Sequence, residues 1–225
     1  MDRDDVKRGL LDLGADLCGV APVDRFSKAP AGFRPTDIYK DCCSVVVFAK
    51  RVPHATLRAT SCVPYTYINM LVTRKVDELT FMIVQYLEDC GIGAVPIPSD
   101  DPYEYWDPAR ARGQAILSLR HAGYLAGLGV LGRNTLLING TYGNMIQLGA
   151  VLLDLPLEGD PMVTTEVCAR DCRRCLDACP VKALDGTTVD QQRCRPLSNA
   201  MTEKGYVLKK CHRCRSVCPH CVPSE

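Results

Sequence analysis

Cys172-Arg173-Arg174-Cys175-Leu176-Asp177-Ala178-Cys179-Pro180 returns later in the chain as Cys211-His212-Arg213-Cys214-Arg215-Ser216-Val217-Cys218-Pro219, the same C-x2-C-x3-C-P spacing twice in one short tail. Five of the 14 Cys lie in the first 167 residues, and nine lie from Cys168 to Cys221. Charge divides at the same point. Residues 1–167 carry 16 Lys and Arg against 20 Asp and Glu, whereas residues 168–225 carry 11 against 6. The basic, cysteine-dense tail therefore reads as a module at 161–225 behind a larger unit at 1–160.

The whole chain has 225 residues, 47% of them hydrophobic and 24% charged, with a net charge of +1. That is apolar enough for a buried core and too apolar for disorder. Near-zero net charge argues against a nucleic-acid binder held by a basic face. No run approaches the ~20 apolar residues of a membrane span. The charged opening Met1-Asp2-Arg3-Asp4-Asp5 has no apolar stretch behind it, which argues against a secretory signal and predicts a cytoplasmic protein. In that reducing compartment clustered thiols hold metal rather than pair as disulfides.

Ahead of the tail, hydrophobic spacing predicts helices over 5–17, 67–90 and 115–126. Apolar runs bounded by breakers predict strands at 18–21, 44–49, 94–97, 134–138 and 146–153. Segment 26–35 reads as a Pro/Gly loop, and 98–108 (PSDDPYEYWDP) as a break in regular structure. Alternating helices and strands imply an α/β or α+β layered unit.

The duplicated C-x2-C-x3-C-P unit is the ending of the two-cluster ferredoxin run, in which the Cys before Pro serves the other cluster. Crossed ligation assigns Cys168, Cys172, Cys175 and Cys218 to one [4Fe–4S] cluster. Cys179, Cys194, Cys211 and Cys214 fall to the second, because Leu208 stands where that copy's extra Cys is expected. Cys221 is a ninth candidate for eight places and competes with Cys194 or Cys168. Structural zinc is the plainer alternative for paired C-x2-C units, but it does not require Pro after the third Cys. A cubane with four thiolates carries about −2, which the basic tail offsets.

Gly127-Leu128-Gly129-Val130-Leu131-Gly132 matches G-x-G-x-x-G in form, but a helix precedes it and a strand follows, the reverse of a dinucleotide site. Together with His121-Ala122-Gly123-Tyr124-Leu125-Ala126, the run GLGVLGRNTLLIN at 127–139 and LGAVLLDLPL at 148–157, it resembles the core of epoxyqueuosine reductases. The cysteine tail follows in the same order. The resemblance implies a nitroreductase-like α/β domain joined to a two-[4Fe–4S] ferredoxin-like module. It also implies, as in the similar reductive dehalogenases, a corrinoid (cobalamin, base-off) between the two. Carried over by position, Gly127, Gly129, Gly132, Arg133, Asn134 and Thr135 face that corrinoid.

Two departures stand out. The family's catalytic Asp falls, by the same distance back from Gly127, on Gly113. The helical repeats of the tRNA-acting enzymes do not follow Cys218, so a small molecule or another protein's corrinoid is expected as acceptor, and no nucleic acid. Replacement acids are sought in a lid carrying Asp100, Asp101, Tyr103, Glu104, Tyr105, Trp106 and Asp107, and in His121. The plain readings are a solvated loop and a hydrogen-bonded helix His. Cys42, Cys43 and Cys62 read as small buried hydrophobes.

The leading expectation is an oxidoreductase, suited to anaerobic metabolism, passing electrons from a donor protein through two clusters to a corrinoid. The purpose is a reductive reaction or corrinoid reactivation. The alternative is a ferredoxin-type electron-transfer protein without corrinoid that docks a partner enzyme. A weaker third is flavin in the corrinoid's place.

Overall fold

The computed structural model describes residues 1–109, 111–169 and 171–222. Asp2 caps α1 (Arg3–Asp12) reciprocally: its carboxylate accepts from the Asp5 N–H at 2.9 Å, and the Asp5 carboxylate accepts from the Asp2 N–H at 3.3 Å. The helix ends before the expected residue 17. Gly14, at φ +111°, turns the chain, and Leu17 enters β1 (Leu17–Pro22). The Pro/Gly loop leads into one turn, α2 (Pro35–Ile38), and then β2 (Ser44–Arg51).

Helix α3 (Val63–Asp89) starts four residues earlier than its periodicity indicates, because Pro64 is tolerated in a first turn where its missing N–H has no partner to lose. It is followed by β3 (Ala94–Ile97). These strands and β8 (Ile146–Leu153) form a four-stranded sheet in the order β1-β2-β8-β3, antiparallel throughout.

Alternation along β2 explains why its sequence reads as one continuous apolar run. Val46 and Phe48 point to the face covered by α1 and α3, where they join Leu10, Val76, Ile83 and Leu87. Val45, Val47 and Ala49 point to the other face, against Ala122 and Ala126 of the α4 region. Both faces are dry, so period-two polarity disappears. Each aliphatic side chain buried here contributes about 1.5–3 kcal/mol.

Segment 98–108 differs from the expected break. Tyr105–Asp107 is a strand, β4, paired in a hairpin with β5 (Arg112–Gln114). The following helix, α4 (Leu119–Leu125), is shorter than expected because residues 115–118 form the bend that leaves the hairpin. The expected strand 134–138 shrinks to β7 (Leu137–Ile138), paired with β6 (Val130–Leu131), since Thr135 sits at φ +65°. The tail contains α5 (Arg174–Asp177), α6 (Gln191–Ser198), the two-stranded β9 (Ala200–Met201) and β10 (Val207–Leu208), and α7 (Arg213–Ser216). The class is mixed, with helices on both faces of an antiparallel sheet. Among the described residues no helix is long and apolar enough to cross a membrane.

Candidate redox site

The two C-x2-C-x3-C-P copies fold alike. In each, one helical turn carries the middle Cys, and the next two amides close it: Ala178 N–H on Arg174 and Cys179 N–H on Leu176, against Val217 N–H on Arg213 and Cys218 N–H on Arg215. Pro180 and Pro219 then stop the turn. Helices α5 and α7 pack against one another.

That packing sorts the cysteines into two groups. Cys168, Cys172, Cys175 and Cys218 line one small cavity of about 70 Å³, together with Arg133, Asn134 and Ile138. Burial pushes the Cys175 thiol up, with Cys168 and Cys218 adding to it, and burial does the same at Cys218, with Cys168 and Cys172 beside it. In the second group Cys214 is pushed up to about 11 by burial first, then by Cys194, Cys211 and Cys179. Cys194 is raised by burial and by Cys211 and Cys179. Cys221 packs instead with Val52, Val72 and Met145 and has Cys218 as its thiol neighbour.

Among the described residues, no three His, Cys, Asp or Glu side chains converge tightly enough to hold a single ion. Each group offers four thiols, the donor type that both zinc and iron–sulfur cages take. Cys18 and Cys42, outside the tail, are held up at about 11 by burial first, with Asp160 and Cys43 adding to it, and Cys42 lies in the sheet core.

The glycine-rich segment is packed closely against the chain's own backbone. A side chain at Gly127 would strike the Pro161 carbonyl, and one at Gly129 the Ile138 carbonyl. At Gly132 it would meet Asn134 and the Ile138 side chain at 2.7 Å. The place a side chain would take at each of these glycines is occupied by the chain's own atoms, because β6 turns back on β7 and the chain beyond β8 passes over Gly127.

Arg133 and Asn134 reach into the tail. Arg133 Nη1 donates to the Cys172 carbonyl at 3.2 Å and Asn134 Nδ2 to the Cys214 carbonyl at 3.1 Å, one residue for each cysteine loop. Thr135 accepts from Arg120 Nη1 through its carbonyl at 3.0 Å. Asn144, 1% exposed, was missed by the sequence reading. Its N–H donates to the His220 carbonyl at 3.0 Å and its Nδ2 to the Arg215 carbonyl at 3.2 Å, while its own carbonyl accepts from the Arg215 guanidinium.

Two cavities flank the segment 115–120. The larger, about 1040 Å³, lies between the 25–33 loop, α4 and residues 182–193 of the tail. Small-molecule sites are typically roughly 300–1,000 Å³, so it has room for a large cofactor. His121 lines it, with Nδ1 2.7 Å from Ser118 Oγ. Desolvation and then the Arg120 charge hold His121 below its ordinary value.

The second cavity, about 310 Å³, is walled by Asp100, Tyr103, Thr135, Asn144 and Arg215 among others. Tyr103 donates its hydroxyl to Asp100 Oδ1 at 2.9 Å and accepts from Arg195 Nη2 at 3.3 Å. Burial raises the phenol and Arg195 works against that. Its ring lies 2.8 Å from where a Cβ on Gly113 would stand, so Tyr103 fills the space that a side chain at that position would need. Tyr105 and Asp107 line neither cavity. Tyr105 is exposed opposite Gln114, and Asp107 Oδ1 accepts from the Ala109 N–H at 3.0 Å in the hairpin turn.

No family model matches the chain. The epoxyqueuosine reductase of Pseudomonas aeruginosa is 44% identical over 70 residues, 31% of this chain and 19% of that protein. A tetrachloroethene reductive dehalogenase of Desulfitobacterium hafniense is 27% identical over 238 positions, 97% of this chain and 38% of the relative. The chain thus spans well under half the length of these curated relatives. Among solved structures, an epoxyqueuosine reductase crystallised with a modified tRNA stem loop superposes with a TM-score of 0.70 at 18% identity, covering 97% of this chain and 65% of that one. A reductive dehalogenase whose structure was read for B12-dependent dehalogenation also gives 0.70, at 20% identity, over 95% of this chain and 31% of that one. The chain shares their fold, and its sequence resembles both groups.

Proposed function

We propose that this chain, as a relative of epoxyqueuosine reductases and reductive dehalogenases, is an oxidoreductase that passes electrons through two [4Fe–4S] clusters to a corrinoid. The observation that carries the reading is the grouping of eight tail cysteines into two sets of four, both tied to the α/β half by Arg133, Asn134 and Asn144.

Cys168, Cys172, Cys175 and Cys218 would hold one cluster, and Cys179, Cys194, Cys211 and Cys214 the other. Burial holds the Cys214 thiol up at about 11, so it stays protonated at neutral pH and metal uptake there releases its proton. A bound corrinoid supplies a cobalt centre for the reductive step. The cavity of about 1040 Å³ beside α4 is where the chain has room for it, displaced from the closed glycine segment. Tyr103 is the proton donor best supported: it lines the adjoining cavity, fills the space that a side chain at Gly113 would need, and is oriented by Asp100 and Arg195. A donor protein delivers the electrons, and the acceptor is a small molecule or another protein's corrinoid.

The closed glycines favour a second reading, a ferredoxin-type carrier that docks a partner enzyme and binds no corrinoid. Anaerobic purification separates the two. The first reading expects about eight irons and eight acid-labile sulfides per chain, with added cobalamin retained through gel filtration and changed in its visible spectrum. Iron without cobalamin retention supports the carrier, and zinc in place of iron overturns both.

A further inference from the structure

The cavity beside α4 has a charge that neither reading uses. Six cationic side chains line it, Arg25, Lys28, Arg112, Arg120, Lys182 and Arg193, against two carboxylates, although the whole chain carries only +1. Both carboxylates are already committed. Asp185 accepts from Thr187 and Thr188 N–H at 2.7 Å each, and Asp190 caps α6 while pairing with Arg193 at 3.3 Å.

The remaining cations face carbonyls or nothing. Arg25 donates to the Leu125 and Asp160 carbonyls at 2.6 and 2.8 Å, and Lys182 to the Asp177 carbonyl at 3.1 Å. The exposed side chains of Lys28 and Arg112 make no hydrogen bond or ion pair among the described residues. Arg120 is partly buried, its side chain has only the Thr135 carbonyl as partner among the described residues, and burial pushes its guanidinium down. A partly desolvated cation without a carboxylate lacks its counter-charge.

We propose that this cavity is a binding site for a phosphoryl anion, held by Arg112, Arg120 and Lys28. A single carboxylate would leave most of these charges unmatched. A phosphate or diphosphate brings several negative oxygens that the guanidinium fork grips two at a time. The site is concave and partly enclosed, which suits a small ligand, where a nucleic acid requires cations spread along an open face. The phosphate has two possible sources, the nucleotide tail of a corrinoid or a separate phosphorylated molecule. The inference shares its cavity with the corrinoid reading and stands without it.

Inorganic pyrophosphate, titrated calorimetrically into the purified protein at low fixed salt, tests it. Saturable 1:1 binding is expected, weakened about tenfold or more in Lys28→Gln/Arg112→Gln and unchanged in Lys75→Gln, a change on the exposed face of α3. The double variant removes no contact that holds the fold, so a thermal melt matching wild type keeps the comparison valid. Pyrophosphate displaced by cobalamin but not by cobinamide, which lacks the phosphate, assigns the site to the corrinoid's own tail. Pyrophosphate unaffected by cobalamin assigns it to a separate molecule, whether or not a corrinoid binds. No saturable binding, equal binding in the double variant, or binding of an RNA stem loop alone overturns the proposal.

Discussion

At Gly129 an added methyl group would press on the Ile138 carbonyl, with the carbonyl carbon 2.8 Å away, and backbone on a paired strand cannot step aside. Overpacking of this kind costs about 1–3 kcal/mol and sometimes more. Gly129→Ala is therefore expected to lower the melting temperature clearly, whereas Gly140→Ala, with nothing within 4 Å and no positive φ, should stay within about 0.5 kcal/mol of wild type. If instead Gly129→Ala melts normally, the glycine is not kept for packing. His121 sets an acid limit. Its folded value lies below the ordinary 6.5, so on acidification the unfolded chain takes the proton first. Stability present above about pH 6.5 is lost as pH falls toward the lowered folded value. Melting temperatures from pH 7.5 to 5.5 should fall less steeply in His121→Gln than in wild type.

The elements differ in how plainly their residues announce them. Strand β2 is legible because Val45 to Ala49 bury alternately on two dry faces, and α3 because Val72, Val76, Leu79, Ile83 and Leu87 return to one stripe. The β4–β5 hairpin is not legible: its three-residue strands are polar or aromatic, and what holds it comes from far along the chain. Arg195 of α6 lies 5.7 Å from the Tyr103 ring centroid and 5.0 Å from that of Trp106, and Gln192 Nε2 donates to the Ala109 carbonyl at 2.9 Å. Neither partner is foreseeable from local pattern, nor is the fit of Tyr103 against Gly113. Cation–π contacts of this exposed kind are worth about 0.5–1 kcal/mol each. Arg195→Ala should thus loosen the hairpin without unfolding the sheet. Trp106 is the only Trp, so a red-shifted emission at an unchanged melting temperature reads the loosening directly. An unshifted spectrum would show that the arginine does not hold the hairpin.

Across the whole molecule, apolar burial is unevenly shared. The two large core clusters draw only on residues up to Leu157, while the tail adds Cys221 to a four-residue cluster and buries little else beyond Leu176, Ala183, Cys175 and Cys179. Its regular elements are one-turn helices, an eight-residue helix and a two-residue strand pair. A module of this size with so small a core needs a staple, and metal is the staple its thiols offer. Its other anchors include the Arg195 and Gln192 contacts to the hairpin and hydrogen bonds to Arg133, Asn134, Asn144 and Thr66, the last accepting from the Lys209 N–H at 2.9 Å. Such bonds contribute about 0.5–1.5 kcal/mol each and cannot hold several dozen residues against their conformational entropy. On the proposed cluster reading, chelating the iron from the anaerobic protein should therefore strip amide protection from residues 168–221 first. The sheet should keep its protection and a cooperative melt of its own, giving two unfolding events where the intact protein shows one. Hydrogen exchange followed by mass spectrometry distinguishes the halves. A tail that stays protected after the iron has gone would mean that packing and not metal holds it, and its cysteines would then need another reason for their arrangement.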